Sequence, residues 1–201
     1  MRSNSKNETK LRILIGEPTD NLRRDLTSQL QDAGYSVVAA TNDTIHTIQI
    51  ARAMRPDVAI LNSALPDTGG LGVARVLRDR GIAPSVILTN KVTPELIRSA
   101  RISGVWSVLS GLENPALIPS IELAAHHWKA ERELKEQNRQ LERSLCTREV
   151  VSDAKFLLMD QYGLKEEEAY RRIQVNSMNT RQPMYLVAET ILQAHQLSAA
   201  S

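Results

Sequence analysis

The side chains best placed to do chemistry in this 201-residue chain lie toward its C-terminal end. Between Val151 and Ala188 the sequence reads as three short helices, too small to enclose a catalytic centre. Lys155, Arg171, Arg172 and Arg181 stand among its polar positions. From Val150 onward five basic side chains (Lys155, Lys165, Arg171, Arg172, Arg181) stand against six acidic ones (Asp153, Asp160, Glu166, Glu167, Glu168, Glu189). The segment is therefore not basic. The whole chain carries a formal charge of only +2, so any attraction for a polyanion must come from a local patch. Cys146 is the single cysteine, which excludes an intramolecular disulfide and a multi-cysteine metal centre. His126 and His127 are adjacent on a helix and do not share a face, so they form no metal pair. No catalytic residue, metal site or cofactor is expected. One Phe, two Trp and four Tyr argue against aromatic platforms for unpaired bases. The N-terminal MRSNSKNETK has no apolar run and no window approaches a transmembrane span, so a cytoplasmic location is expected.

The elements that must position these residues follow from periodicity. Leu11–Ile15, Ser36–Ala40, Asp57–Leu61, Ser85–Thr89 and Val105–Leu109 are short apolar runs of strand length. Between them Leu22, Leu26 and Leu30 recur at helical spacing, with Asp20 as the expected N-cap and Gly34 at the stop. Ile45, Ile48 and Ala51 continue the pattern in a helix that ends before Pro56. Asp67 to Gly70 form a turn, Leu71–Arg80 and Pro94–Ile102 are helical, and Pro115 opens the last helix. Five repeats of strand then helix predict an α/β doubly wound parallel five-stranded domain over residues 11–128.

RILIGEPTD, RPDVAILNSALPDTGG, PSVILTN and SGVWSVLSG, in that order, resemble a two-component receiver domain of flavodoxin-like fold. The resemblance implies a phosphoacceptor carboxylate after the third strand and an acidic pair after the first to hold a hard cation. It also implies a Ser or Thr after the fourth strand and a Lys after the fifth. This chain departs at most of these places. Asn62 stands at the nucleophile position, and an amide cannot form an acyl phosphate. Glu17 remains of the acidic pair, with Pro18 at the second place. Thr89 is kept, and Gly111 replaces the lysine. The expectation is a pseudo-receiver with a degenerate phosphoacceptor pocket. Asp67 is the one rival acceptor and reads better as a turn residue.

From Ser120 to Tyr162 there is neither Pro nor Gly, and good helix formers dominate. A single helix through this stretch would be roughly 65 Å long. Within the linker at 129–149, Leu134, Asn138, Leu141 and Leu145 follow four-three-four spacing, with charges of both signs around them. This reads as a short heptad seam, and Asn138 at an a position favours a parallel two-stranded register. A homodimer is expected; the alternative is a solvated linker helix.

Gly163 should stop the long helix, Lys165–Met178 form the next, and Pro183 fit the first turn of the last. Ala154-Lys155, Leu158-Met159, Glu168-Ala169-Tyr170, Ser177-Met178 and Val187-Ala188 resemble the ANTAR module of bacterial transcription antitermination regulators. The module is placed at 150–197. Ala154, Leu158, Met159, Ala169, Tyr170, Val187 and Ala188 read as core. The resemblance implies an RNA-contacting set drawn from the polar remainder. Lys155, Arg171, Arg172 and Arg181 would meet phosphates. Asn179, Thr180 and Gln182, in the turn before the last helix, would meet loop bases. RQPMYLVAETIL in particular resembles the amide-responsive type of regulator, beside the nitrate-responsive type. The implied function is a non-enzymatic, RNA-binding positive regulator. Its dimer binds leader mRNA hairpins and prevents a terminator from forming. A ligand-sensing negative regulator protein, and not phosphorylation, would control it. The alternatives are a phosphorylation-regulated response regulator with ANTAR output, and an interaction scaffold that binds no RNA.

Overall fold

The apolar runs in the first half of the chain become five parallel strands: β1 (Arg12–Gly16), β2 (Ser36–Thr41), β3 (Val58–Asn62), β4 (Ser85–Thr89) and β5 (Ser107–Ser110). Their order across the sheet is β2-β1-β3-β4-β5. The computed structural model describes residues 10–199. Helices α1 (Asp20–Asp32), α2 (Thr44–Met54), α3 (Gly69–Asp79), α4 (Pro94–Ser103) and the start of α5 (Leu117–Tyr162) come after the strands in turn. Alternation along each strand sorts the core into two layers. Ile13, Ile15, Ile60 and Val86 pack with Leu26 and Leu30 of α1 and with Leu117 and Ile121 of α5. Leu14, Ala59, Leu61 and Ile87 pack on the other face with Val73, Ala74 and Leu77 of α3. Burial on both faces is why β3 and β4 read as unbroken apolar runs. In such a sheet the strand order reverses between β1 and β3, and side chains at the carboxyl ends of those strands share one crevice. Glu17 and Asn62 stand at those ends.

The chain divides into two compact units, Met1–Glu131 and Arg132–Ser201. In the second unit the end of α5 joins α6 (Glu166–Thr180) and α7 (Met184–Ala199) around Val151, Ala154, Leu158, Ala169, Ile173, Val187 and Ala188. Gly163 ends α5 in the left-handed region at φ +63°, a conformation that costs a side-chain-bearing residue free energy.

Several local expectations change. Thr19, not Asp20, is the N-cap of α1, and Asp20 is the first helical residue. The Thr19 side chain makes no capping bond; its backbone N–H donates to the Glu17 carboxylate. Pro115 lies ahead of α5, in a turn where Asn114 Oδ1 accepts the Ala116 N–H at 2.9 Å. Residues 129–149 lie within the one helix α5, as the run without Pro or Gly from Ser120 to Tyr162 predicts. Asn179 and Thr180 belong to the last turn of α6, and Pro183 immediately precedes α7. Tyr170, expected in the core, is 44 % exposed: Ala169 and Ile173 take the inward face of α6, and position 170 lies about 100° from Ala169.

Candidate phosphoacceptor pocket and nucleic-acid interface

Glu17 lies just past β1 and is 1 % exposed. A carboxylate so buried needs donors. Two are present: the Thr19 N–H at 2.9 Å to Oε1 and the Asn62 side-chain amide at 2.6 Å to Oε2. The amide's orientation is set by its other end. The Ala64 N–H can only donate, and it reaches Asn62 Oδ1 at 2.8 Å, so Nδ2 must face Glu17. Both ends of the Asn62 amide are therefore engaged in holding the end of β3 and closing over Glu17. Gly70, in the first turn of α3, lets that helix pack closely on the backbone at the end of β3. A Cβ there would lie 2.3 Å from the Asn62 carbonyl oxygen.

Glu17, Asn62, Thr89 and Gly111 line one cleft of about 650 Å³, together with Leu22, Asp25, Gln29, Leu88, Asn90, Leu112 and Glu113. Pro18, the fifth residue read from the sequence, is not among them. The lining carries three carboxylates and, among the described residues, no Lys or Arg. Thr89 is 7 % exposed, and its hydroxyl donates to the Lys91 carbonyl at 3.1 Å while accepting the Lys91 N–H at 3.3 Å. It ties off its own loop. Gly111 is exposed at φ +77° and brings no side chain where a cation would neutralise a phosphoryl group. The cleft thus offers neither an anionic oxygen nucleophile at position 62 nor positive charge for an incoming phosphate. Asp25, Gln29 and Glu113 were not foreseen. Asp25 and Gln29 come from the second and third turns of α1, four residues apart and so on one face, a pairing visible only once α1 is placed over the strand ends.

In the second unit the four cations and three polar residues separate. Lys155 is drawn into an ion pair with Glu166 at 2.6 Å. That contact holds the Glu166 carboxyl below its usual range. Arg171, Arg172, Asn179, Thr180, Arg181 and Gln182 are all exposed. Arg172 and Asn179 are seven residues apart and share one side of α6. Arg171 and Met178 share another. Thr180 spends its hydroxyl on the Asn176 carbonyl at 2.7 Å. Arg181 caps α6 in the left-handed region, and Gln182 is fixed by a reciprocal pair. Its N–H reaches the Ser177 carbonyl at 3.2 Å and its carbonyl accepts from the Ser177 hydroxyl at 2.6 Å. Ser177 therefore locks the α6–α7 link.

The sequence argued against aromatic platforms because aromatics are scarce. Yet four of the seven aromatic residues, Phe156, Tyr162, Tyr170 and Tyr185, lie in this unit and are 66 %, 59 %, 44 % and 39 % exposed. The Arg172 guanidinium carbon lies 5.1 Å from the centre of the Tyr162 ring, a cation–π contact on the surface. A chain-wide count hid this local concentration; a count over residues 150–197 would have exposed it.

Among known proteins, the response regulator receiver domain profile matches residues 13–118 and the ANTAR domain profile matches residues 139–192. The transcriptional regulatory protein PdtaR of Mycobacterium tuberculosis is 32% identical over 183 residues, spanning 90% of this chain and 89% of that protein. Among solved structures, the receiver domain of a modulated diguanylate cyclase from Desulfovibrio desulfuricans is 25% identical with a TM-score of 0.55. It covers 61% of this chain and 98% of its own. The chemotaxis protein CheY4 of Vibrio cholerae, 23% identical with a TM-score of 0.54, covers 58% of this chain and 99% of its own. These two structures share the fold of the first unit. With a receiver profile over half its length, an ANTAR profile after it and a relative spanning nearly all of it, this chain belongs to the response regulators that join a receiver domain to an ANTAR domain.

Proposed function

We propose that the protein is a transcription regulator that binds hairpins in a nascent leader transcript as a dimer and prevents a terminator from forming. Its control comes from a partner protein and not from phosphate. The observation that carries the control is the Asn62 amide, bonded at once to Glu17 and to the Ala64 N–H. The position that would accept phosphate is spent on structure, in a cleft without a cation. A receiver fold that no longer titrates phosphate still presents helices and loops to a protein. A ligand-sensing negative regulator docked there would hold the output module inactive until its small molecule arrives.

RNA binding is supported by the exposed cations Arg171, Arg172 and Arg181 and by the surface tyrosines of the ANTAR module. Guanidinium and phenol faces suit phosphates and splayed loop bases. Dimerisation is supported by Leu134, Leu141 and Leu145, which are 60 %, 62 % and 59 % exposed in the single chain. No helix among the described residues is long and apolar enough to cross a membrane.

The test is a gel shift of the full chain with a two-hairpin leader RNA at several salt concentrations, with and without acetyl phosphate. Binding with a steep salt slope and no response to the phosphodonor is expected. An acid-labile phosphoprotein with altered affinity would establish the phospho-switch instead. Absence of binding at low salt would leave the scaffold reading.

A further inference from the structure

All five strands run in one direction, so their amino ends share one end of the first unit. The helices return antiparallel to them and finish at that same end. There α2 closes with Arg52 and Arg55, α3 with Arg78 and Arg80, and α4 with Arg101. Helix α3 packs between α2 and α4, and neighbouring helices lie about 10 Å apart. The five guanidinium groups therefore form a row roughly 20 Å long. All five side chains are exposed. Trp106, just ahead of β5 and two residues past the end of α4, follows the row. It is 39 % exposed, and the His127 ring stacks on it with centroids 5.5 Å apart.

Local bonds hold the row without neutralising it. Arg12, at the start of β1, reaches the Arg55 carbonyl at 3.3 Å. Arg78 reaches the Ile102 carbonyl at 3.3 Å, with its stem lying over Gly104. Each bond takes one of five guanidinium N–H groups and a neutral acceptor, so neither charge is cancelled. Among the described residues none of the five arginines of the row enters an ion pair. The carboxylates at this end are occupied elsewhere. Asp57 accepts the Arg12 N–H at 2.8 Å, and Asp79 pairs with Arg75 at 3.7 Å. Asp32 ends α1, which packs on the other face of the sheet. The helix dipole is the ordinary reason for cations at helix C-termini. It supplies about half a negative charge at each, roughly 1.5 for three helices, against five positive groups. Helix α1 meets no such demand, since its last turn holds no basic residue. Arg55 also occupies the left-handed region at φ +48°, where glycine is the easiest residue. The excess of charge suits a polyanion.

We infer that this end of the receiver unit holds the single-stranded RNA that flanks the hairpins, by its phosphates and with Trp106 as a stacking face for one base. The inference rests on the RNA-binding function proposed above and adds a second contact to it. The hairpins are the ligand of the ANTAR module. The first unit, joined to that module through α5, meets the strand that runs on from them. The connection raises the effective concentration of that strand, so a few phosphate contacts too weak to bind alone are sufficient. Guanidinium–phosphate contacts carry no base readout, and stacking tolerates every base, so this contact is indifferent to sequence. The cleft with three carboxylates and no Lys or Arg lies at the opposite, carboxyl ends of the strands. One end of the unit thus attracts RNA and the other repels it.

The experiment gives the full chain two RNAs, a two-hairpin leader with single-stranded flanks and the same leader trimmed to its hairpins. Filter binding at several salt concentrations reads affinity and salt slope. The parent should bind the flanked RNA at least about tenfold more tightly than the trimmed one, with the steeper slope. Arg52→Gln, Arg55→Gln, Arg80→Gln and Arg101→Gln, combined, remove four charges that no ion pair within the chain uses. That variant should bind the two RNAs alike, its slope on the flanked RNA lowered by roughly 0.7 for each phosphate released. Lysine at the same four positions should restore the preference, since a point charge serves a phosphate. Trp106→Ala should weaken the flanked RNA roughly five- to a hundredfold and leave the salt slope unchanged. Equal affinity of the parent for both RNAs overturns the inference and needs no variant to show it. A glutamine variant that keeps the parent's preference also overturns it, and gives this end to an acidic protein partner. Equal loss on both RNAs overturns the assignment to the flanking strand. No binding of either RNA at low salt overturns the RNA-binding function itself.

Discussion

Replacing Asn62 with Asp places a carboxylate at the end of β3 and sets it against a second, buried one, Glu17. In the parent the amide donates to Glu17 at 2.6 Å. With two carboxylates in that place, a hydrogen bond to a charged acceptor, worth about 1.5–3 kcal/mol, becomes a repulsion. Two negative charges about 3.5 Å apart at an effective dielectric near 20 repel by about 5 kcal/mol. The pair can avoid this by keeping one proton between the two oxygens. Holding a proton on a carboxyl that ordinarily releases it near pH 4 costs about 1.4 kcal/mol for each pH unit above that. The cheaper route is the proton: about 1.4 kcal/mol at pH 5 and about 4 kcal/mol at pH 7. The new carboxyl is favoured in the folded state only while protonated. The deficit of Asn62→Asp relative to the parent therefore widens as the pH rises from about 4 and levels off near pH 7–8, once the pair ionises. For a domain of this size the loss at pH 7 corresponds to a fall in Tm of roughly 15 °C. Thermal unfolding of both proteins monitored by circular dichroism from pH 5 to 8 measures it. Millimolar magnesium should recover more of the loss in Asn62→Asp than it adds to the parent, because only the variant sets a second carboxylate directly against Glu17. A variant as stable as the parent at pH 8, or a deficit independent of pH, would refute the bond between Asn62 and Glu17 as the feature holding this crevice.

Gly70→Ala places a Cβ 2.3 Å from the Asn62 carbonyl oxygen; displacement of α3 from the end of β3 should cost about 1–3 kcal/mol, read from urea unfolding. Lys155→Gln should lower stability at neutral pH, and its difference from the parent should shrink as the pH falls below the ordinary glutamate range. Glu166 is held ionised by Lys155, and that contribution is present above the unfolded value and lost through the folded one. Arg171→Ala and Arg172→Ala should each weaken hairpin binding and reduce the salt slope by roughly 0.7–0.9 if each meets one phosphate, measured by filter binding. Tyr35→Phe removes the hydroxyl that donates to Glu122 at 2.5 Å, where burial and then that carboxylate push the phenol pKa up. It should cost about 1–2 kcal/mol without altering RNA affinity.

Periodicity was enough to place every strand within about two residues: burial on both faces makes the central runs β1, β3 and β4 apolar, and the partly buried edge strands β2 and β5 still carry Val, Ala and Leu. Residue type alone settled the chemistry at position 62, since no environment turns an amide into an anionic nucleophile. Gly163 could be read as a stop because its left-handed backbone is a local preference. The partners of these residues were not legible. Whether Lys155 met a phosphate or Glu166 depended on where the first turn of α6 falls relative to α5, eleven positions away. Tyr170 matched a core position in pattern, yet the packing angle of three helices turned Ala169 inward and left the ring outside. Asp25, Gln29 and Glu113 joined the cleft only when α1 and the β5–α5 loop converged over the strand ends. The elements, the two family patterns and the presence of an amide at position 62 were already settled in the amino-acid order, because all are properties of single residues or of short periods. Which charges are spent within the chain and which face outward was settled by tertiary structure, because that depends on distances between segments that no local pattern encodes.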